Sequence, residues 1–123
     1  MTPARILVAE DDRALREALQ EVLALAGHST EAVGDGAQAL AAIRAHPPDL
    51  VVLDHLMPGL DGLSVLQALR EDPRLRDIPV ILLTGAAYDI PHTAGAAAII
   101  EKPFQMLPLQ QKVRALLDSR RAR

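Results

Sequence analysis

The chain has 123 residues, 50% of them apolar and 24% charged, with a net charge of −3 and no cysteine. That is the length and balance of one globular domain with an ordinary core. It excludes disulfides, thiolate chemistry and cysteine metal sites, and it leaves no basic footprint for nucleic acid. Tyr88 and Phe104 are the only aromatics, too few for a base-stacking platform. No basic, apolar leader opens the chain and no apolar run approaches membrane-spanning length, so a cytoplasmic protein off the membrane is expected.

In chain order, "RILVA" (5–9) is a continuous apolar run, as expected of a strand covered on both faces. It ends in Glu10-Asp11-Asp12. Leu15, Leu19, Val22, Leu23 and Ala26 then recur at helical spacing, with Asp12 suited to the N-cap and Gly27 to the left-handed C-terminal position. "STEAV" (29–33) alternates weakly and reads as an edge strand. Asp35-Gly36 is read as a turn before a helix striped by Ala37, Leu40, Ala41 and Ile43, stopped before Pro47-Pro48. "DLVVLD" (49–54) is the most apolar strand, and "MPGLDG" a loop leading to a helix striped by Leu63, Leu66 and Leu69. "IPVILLT" (78–84) and "AAIIE" (97–101) are the fourth and fifth strands. A last helix carries Leu109, Val113, Leu116 and Leu117, with Pro108 tolerated in its first turn. Positions 119–123, ending in "RRAR", are expected to be a disordered tail or the start of a linker.

Strands alternating with helices imply parallel βαβ units with helices on both faces of one open sheet. In such sheets chemistry sits beyond the carboxyl ends of the strands. Those ends carry Glu10-Asp11, Asp54, Thr84 and Lys102. Each alone has an ordinary reading: a solvated loop and helix cap, a turn residue, a hydroxyl bonding backbone, a solvated lysine. Their joint placement overturns those readings. Three carboxylates with no histidine or cysteine favour a hard cation, Mg2+ before Ca2+. With one ammonium and one divalent ion the charges sum to about zero, leaving room for an anionic group. Asp54, rigidly placed and facing a loop, is the natural nucleophile for a phosphoryl group. Lys102 and Thr84 could then meet its oxygens, and Gly85 leaves the approach open. His55 has no metal-ligand spacing to the other histidines and is expected to be an exposed loop side chain.

"ILVAEDD", "DLVVLDHLMPGLDG", "VILLTG" and "EKPF", in that order and over almost the whole chain, resemble the motifs of bacterial response-regulator receiver domains. The resemblance implies a single receiver domain over 1–123 with a flavodoxin-like fold: a doubly wound, five-stranded parallel sheet of order 2-1-3-4-5 with helices on both faces. It implies phosphorylation of Asp54 by a histidine kinase or phosphotransfer protein. Mg2+ would be held by Glu10, Asp11, Asp54 and the backbone carbonyl of Leu56. Thr84 and Lys102 would be the switch hydroxyl and the lysine of the site, with Lys102-Pro103 a cis peptide. Such a chain signals to a downstream protein, with a homodimer as one form of output; it is not a turnover enzyme, and no DNA-binding or catalytic output region is expected within it.

The chain departs from the family between Thr84 and Lys102. That stretch is about one helical turn short, and Pro91 lies inside it between Gly85 and Gly95, so the helix usual there is expected to be short or irregular. Ile99 stands where the family's switch uses an aromatic; Tyr88 is a weaker substitute. These departures keep one alternative open, an unphosphorylated pseudo-receiver acting as an interaction module. A phosphatase resembling the haloacid dehalogenases is disfavoured because Leu56 occupies the position of its second carboxylate. A flavin or nucleotide carrier is disfavoured because its phosphate would meet Glu10 and Asp11 where donors are needed.

Overall fold

A computed structural model describes residues 3–121. Five strands, β1 (Arg5–Ala9), β2 (Ser29–Val33), β3 (Leu50–Asp54), β4 (Val80–Thr84) and β5 (Ala98–Glu101), form one sheet in the order β2-β1-β3-β4-β5. Every pairing is parallel. Four α-helices flank it: α1 (Arg13–Leu25), α2 (Gly36–Ala45), α3 (Gly62–Glu71) and α4 (Met106–Arg121). The order reverses between β1 and β3, which opens a crevice at their carboxyl ends.

Alternation along each strand divides the core into two layers. Leu7, Val51, Leu53, Val80 and Leu82 pack with Ala39 and Ile43 of α2 and Leu66 and Leu69 of α3. Ile6, Val8, Val52, Ile81 and Leu83 pack with Leu19 and Leu23 of α1 and Leu109, Val113 and Leu117 of α4. β3 and β4 are buried at all five positions, the signature of central strands covered on both faces. β2 is an edge strand, as its weak alternation suggests.

The helices start where their caps dictate. The Asp12 carboxylate accepts the Ala14 and Leu15 N–H groups, and Asp35 and Asp61 accept Gln38 N–H and Ser64 N–H. Asp35-Gly36 is therefore more than a turn: Asp35 caps α2, and Gly36 is its first residue. Between β4 and β5 there is no α-helix, only two short 3₁₀ turns, Ala87–Asp89 and His92–Ala94. Gly95, at φ 88°, reverses the chain into β5. The tail expected at 119–123 is helical up to Arg121, because the Arg120 guanidinium donates to the Asp49 carbonyl at 2.6 Å and ties the last turn to the sheet. Positions 122 and 123 lie outside the described residues.

Candidate functional site at the strand carboxyl ends

The sheet's last rungs place the site. Glu10 N–H donates to the Val33 carbonyl, His55 N–H to Leu83 and Lys102 N–H to Thr84, at 3.1, 2.8 and 2.8 Å. The backbone at the end of each strand is thus fixed by its neighbour, and the side chains leave from known positions. Glu10, Asp54 and Thr84 are the buried polar side chains among the described residues, and all of them lie at this rim.

Glu10, Asp11 and Asp54 bring carboxylate oxygens within 4.8 Å of one another. Lys102 Nζ lies 2.8 Å from Asp54 Oδ1 and 3.0 Å from Glu10 Oε1. The second Glu10 oxygen accepts the Asp12 N–H at 3.1 Å, and Arg16 donates to the Glu10 carbonyl at 2.9 Å. Crowding and burial set the titration of the group. Burial, with the Asp54 charge in support, pushes the Glu10 carboxyl up to about 7 against the opposing bonds from Asp12 N–H and Lys102. Burial would also raise Asp11, but hydrogen bonds shared with Glu10 and Asp54 carry it below the usual carboxylate range. Burial works against the Lys102 ammonium too; its bonds to Asp54 and Glu10 outweigh that and raise it.

Three oxygen donors, two of them buried and one exposed, fit a hard divalent cation with positions left for water and an anion. Leu56, the remaining residue expected at the metal, follows two positions after Asp54 with its side chain 68% exposed. Lys102-Pro103 is cis.

Three features were missed or misread in the sequence. His55 is half-buried, with Nδ1 2.9 Å from Thr84 Oγ1, so the expectation of an exposed loop side chain is corrected. Its proximity to Thr84 depends on β3 and β4 being neighbours, which no spacing within either strand reveals. Gly62, expected in the loop "MPGLDG", is the first residue of α3 and a packing requirement: a Cβ there would overlap the Asp54 carbonyl oxygen. Tyr88 is 86% exposed and does not reach inward.

The fold and this rim define a class: the chain belongs to the response regulator receiver domain family of two-component signalling, whose model matches residues 6–114. Among curated relatives, a response regulator MprA from Mycobacterium sp. (strain KMS) is 43% identical over 123 aligned positions, 94% of this chain and 51% of the relative. A DNA-binding response regulator MtrA from Mycolicibacterium paratuberculosis is 41% identical over 117, covering 92% and 51%. The chain thus spans about half the length of the curated relatives it matches. Among solved structures, a signal receiver domain of a histidine kinase from Syntrophus aciditrophicus superposes with a TM-score of 0.87 at 36% identity, covering 94% of this chain and 91% of that one. The receiver domain of the sensor histidine kinase PA1611 from Pseudomonas aeruginosa PAO1 does so at 0.87 and 26%, covering 95% and 99%. That protein's structure has a magnesium ion in its active site cleft. No helix among the described residues is long and apolar enough to cross a membrane.

Proposed function

We propose that this chain is a phosphorylation-activated switch in which Asp54 accepts a phosphoryl group from a histidine kinase or phosphotransfer protein. The observation that carries the reading is the convergence of Glu10, Asp11 and Asp54 with Lys102 Nζ 2.8 Å from Asp54 Oδ1. A carboxylate oxygen of Asp54 attacks the phosphorus of a phosphohistidine. An O–P bond forms, the P–N bond breaks, and its electron pair leaves on the imidazole, which takes up a proton. Glu10, Asp11, Asp54 and the Leu56 carbonyl are the residues that would hold Mg2+, which supplies neutralisation of the phosphoryl charge when bound. Lys102 offers its ammonium to a phosphoryl oxygen, and Thr84 its hydroxyl proton.

The same residues support a single acceptor rather than a turnover enzyme. Leu56 and Ala86 present no polar side chain to an attacking water, so the acyl phosphate is expected to be long-lived. The chain would pass its state to a downstream protein, alone or as a homodimer. The pseudo-receiver reading is favoured only by the irregular 85–95 segment and is opposed by the full acidic set. The test is phosphorylation by a small acyl-phosphate donor with Mg2+ and with excess chelator. Labelling in Mg2+ that disappears with chelator is expected; equal labelling in both would overturn the metal assignment, and none in either would favour the pseudo-receiver.

A further inference from the structure

We infer that His55 is a positioning residue for the Thr84 hydroxyl: it holds that hydroxyl in the resting protein, and the bond must break before Thr84 can meet a phosphoryl group. This rests on the phosphoacceptor reading of Asp54. Thr84 is 1% exposed, and its hydroxyl has one proton and two lone pairs. The Ala86 N–H, 3.0 Å away, fills one lone pair. No buried side-chain polar atom among the described residues lacks a partner, and a buried hydroxyl needs an acceptor for its proton. His55 Nδ1, at 2.9 Å, is the partner in place, and in the tautomer with the proton on Nε2 it accepts the hydroxyl proton. One proton cannot serve both His55 and a phosphoryl oxygen, so the two compete.

The holder is itself held. His55 N–H donates to the Leu83 carbonyl at 2.8 Å and its carbonyl accepts the Gly62 N–H at 2.7 Å. Gly62 packs on the Asp54 carbonyl too closely for any side chain, so the His55 backbone cannot shift to follow the hydroxyl. Ile99 of β5 is no rival partner: it is 40% exposed and has no polar side-chain atom. Departure of Thr84 would free His55 beside Leu56, whose exposed side chain lies next on the same loop. That places the report of phosphorylation on the loop after β3.

Beryllofluoride with Mg2+, a non-transferable phosphoryl mimic, tests this by calorimetry on wild type, His55→Leu, His55→Asn, Thr84→Ala and the Thr84→Ala/His55→Leu double variant. His55→Leu should bind the mimic about three- to tenfold more tightly, the worth of one net hydrogen bond removed from the resting state. His55→Asn, whose amide oxygen can take the hydroxyl proton, should return towards wild type. In the Thr84→Ala background His55→Leu should add nothing. The His55 Nδ1 nitrogen resonance should move from its hydrogen-bonded position when the mimic binds. Unchanged affinity in a folded His55→Leu protein, the same gain with Thr84→Ala, or an unmoved resonance each overturn the proposal. His55→Phe replaces the Leu variant if circular dichroism shows the latter unfolded. Wild type that fails to bind the mimic defeats the phosphoacceptor reading as well; wild type that binds while His55 variants match it defeats this inference alone.

Discussion

Glu10 is the residue whose chemistry the fold changes most. Its carboxyl titrates near 4.5 without the fold and near 7 within it, driven up by burial. Between those values the folded chain keeps a proton that the unfolded chain has lost. Its contribution to stability is therefore complete below about pH 4.5 and is lost as pH rises through about 7. Thermal unfolding in metal-free buffer should show this fall, and Glu10→Gln, which cannot ionise, should flatten it; an equal slope in the variant contradicts the assignment. Mg2+ should stabilise the wild type more at pH 8 than at pH 5.5, because a cation prefers the ionised carboxylates and competes with the proton. Lys102 ties the same cluster together from the last strand. Lys102→Ala leaves Asp54 and Glu10 facing each other without their cation, and phosphorylation by a small acyl-phosphate donor should slow by at least tenfold, the scale of a lost charge contact to a transferring group.

At the scale of elements, the first residues of α2 and α3 are glycines because backbone lies against them. A Cβ on Gly62 would overlap the Asp54 carbonyl oxygen and crowd His55 Cα, whereas one on Gly85 would meet nothing within 4 Å. Gly62→Ala should therefore lose ~1–3 kcal/mol and Gly85→Ala change by under ~0.5 kcal/mol, measured by denaturant unfolding. Equal effects would contradict the packing argument. The connection from β4 to β5 is held differently. The Arg70 guanidinium of α3 donates to the Gly95 carbonyl in this connection at 2.9 Å, and to the Arg76 and Ile78 carbonyls ahead of β4 at 2.7 and 2.9 Å, so one side chain ties the end of the 3₁₀ segment to the chain entering β4. Arg70→Met should cost ~1–2 kcal/mol and speed amide exchange around residues 92–97; unchanged exchange there would show that the 3₁₀ turns hold themselves. Much of this architecture was legible in the sequence. Apolar strand runs, helical stripes and the Asp12 cap are local signals, and Pro91 between two glycines foretold the lost helix. What was not legible depends on neighbours distant in the chain. The His55 bond to Thr84 spans two strands, Gly62 answers to a carbonyl eight residues earlier, and Arg120 reaches Asp49 across the fold.

For the molecule as a whole, two core layers clamp a parallel sheet and leave its carboxyl-end rim as the place where buried polar groups collect. The strand order matters because it makes β1 and β3 neighbours at the crevice, so that Glu10 and Asp54 meet, and puts Thr84 at the end of β4 and Lys102 just beyond β5. The β4–β5 connection is two 3₁₀ turns and Ile99 is exposed, yet Glu10, Asp11, Asp54 and Lys102 still converge at the rim. On the proposed function, Asp54 accepts one phosphoryl group. Intact mass spectrometry after incubation with Mg2+ and a small acyl-phosphate donor tests it most directly, on wild type and Asp54→Asn. A gain of a single phosphoryl group is expected in wild type and none in Asp54→Asn; no gain in wild type, or the same gain in both, would overturn Asp54 as the acceptor.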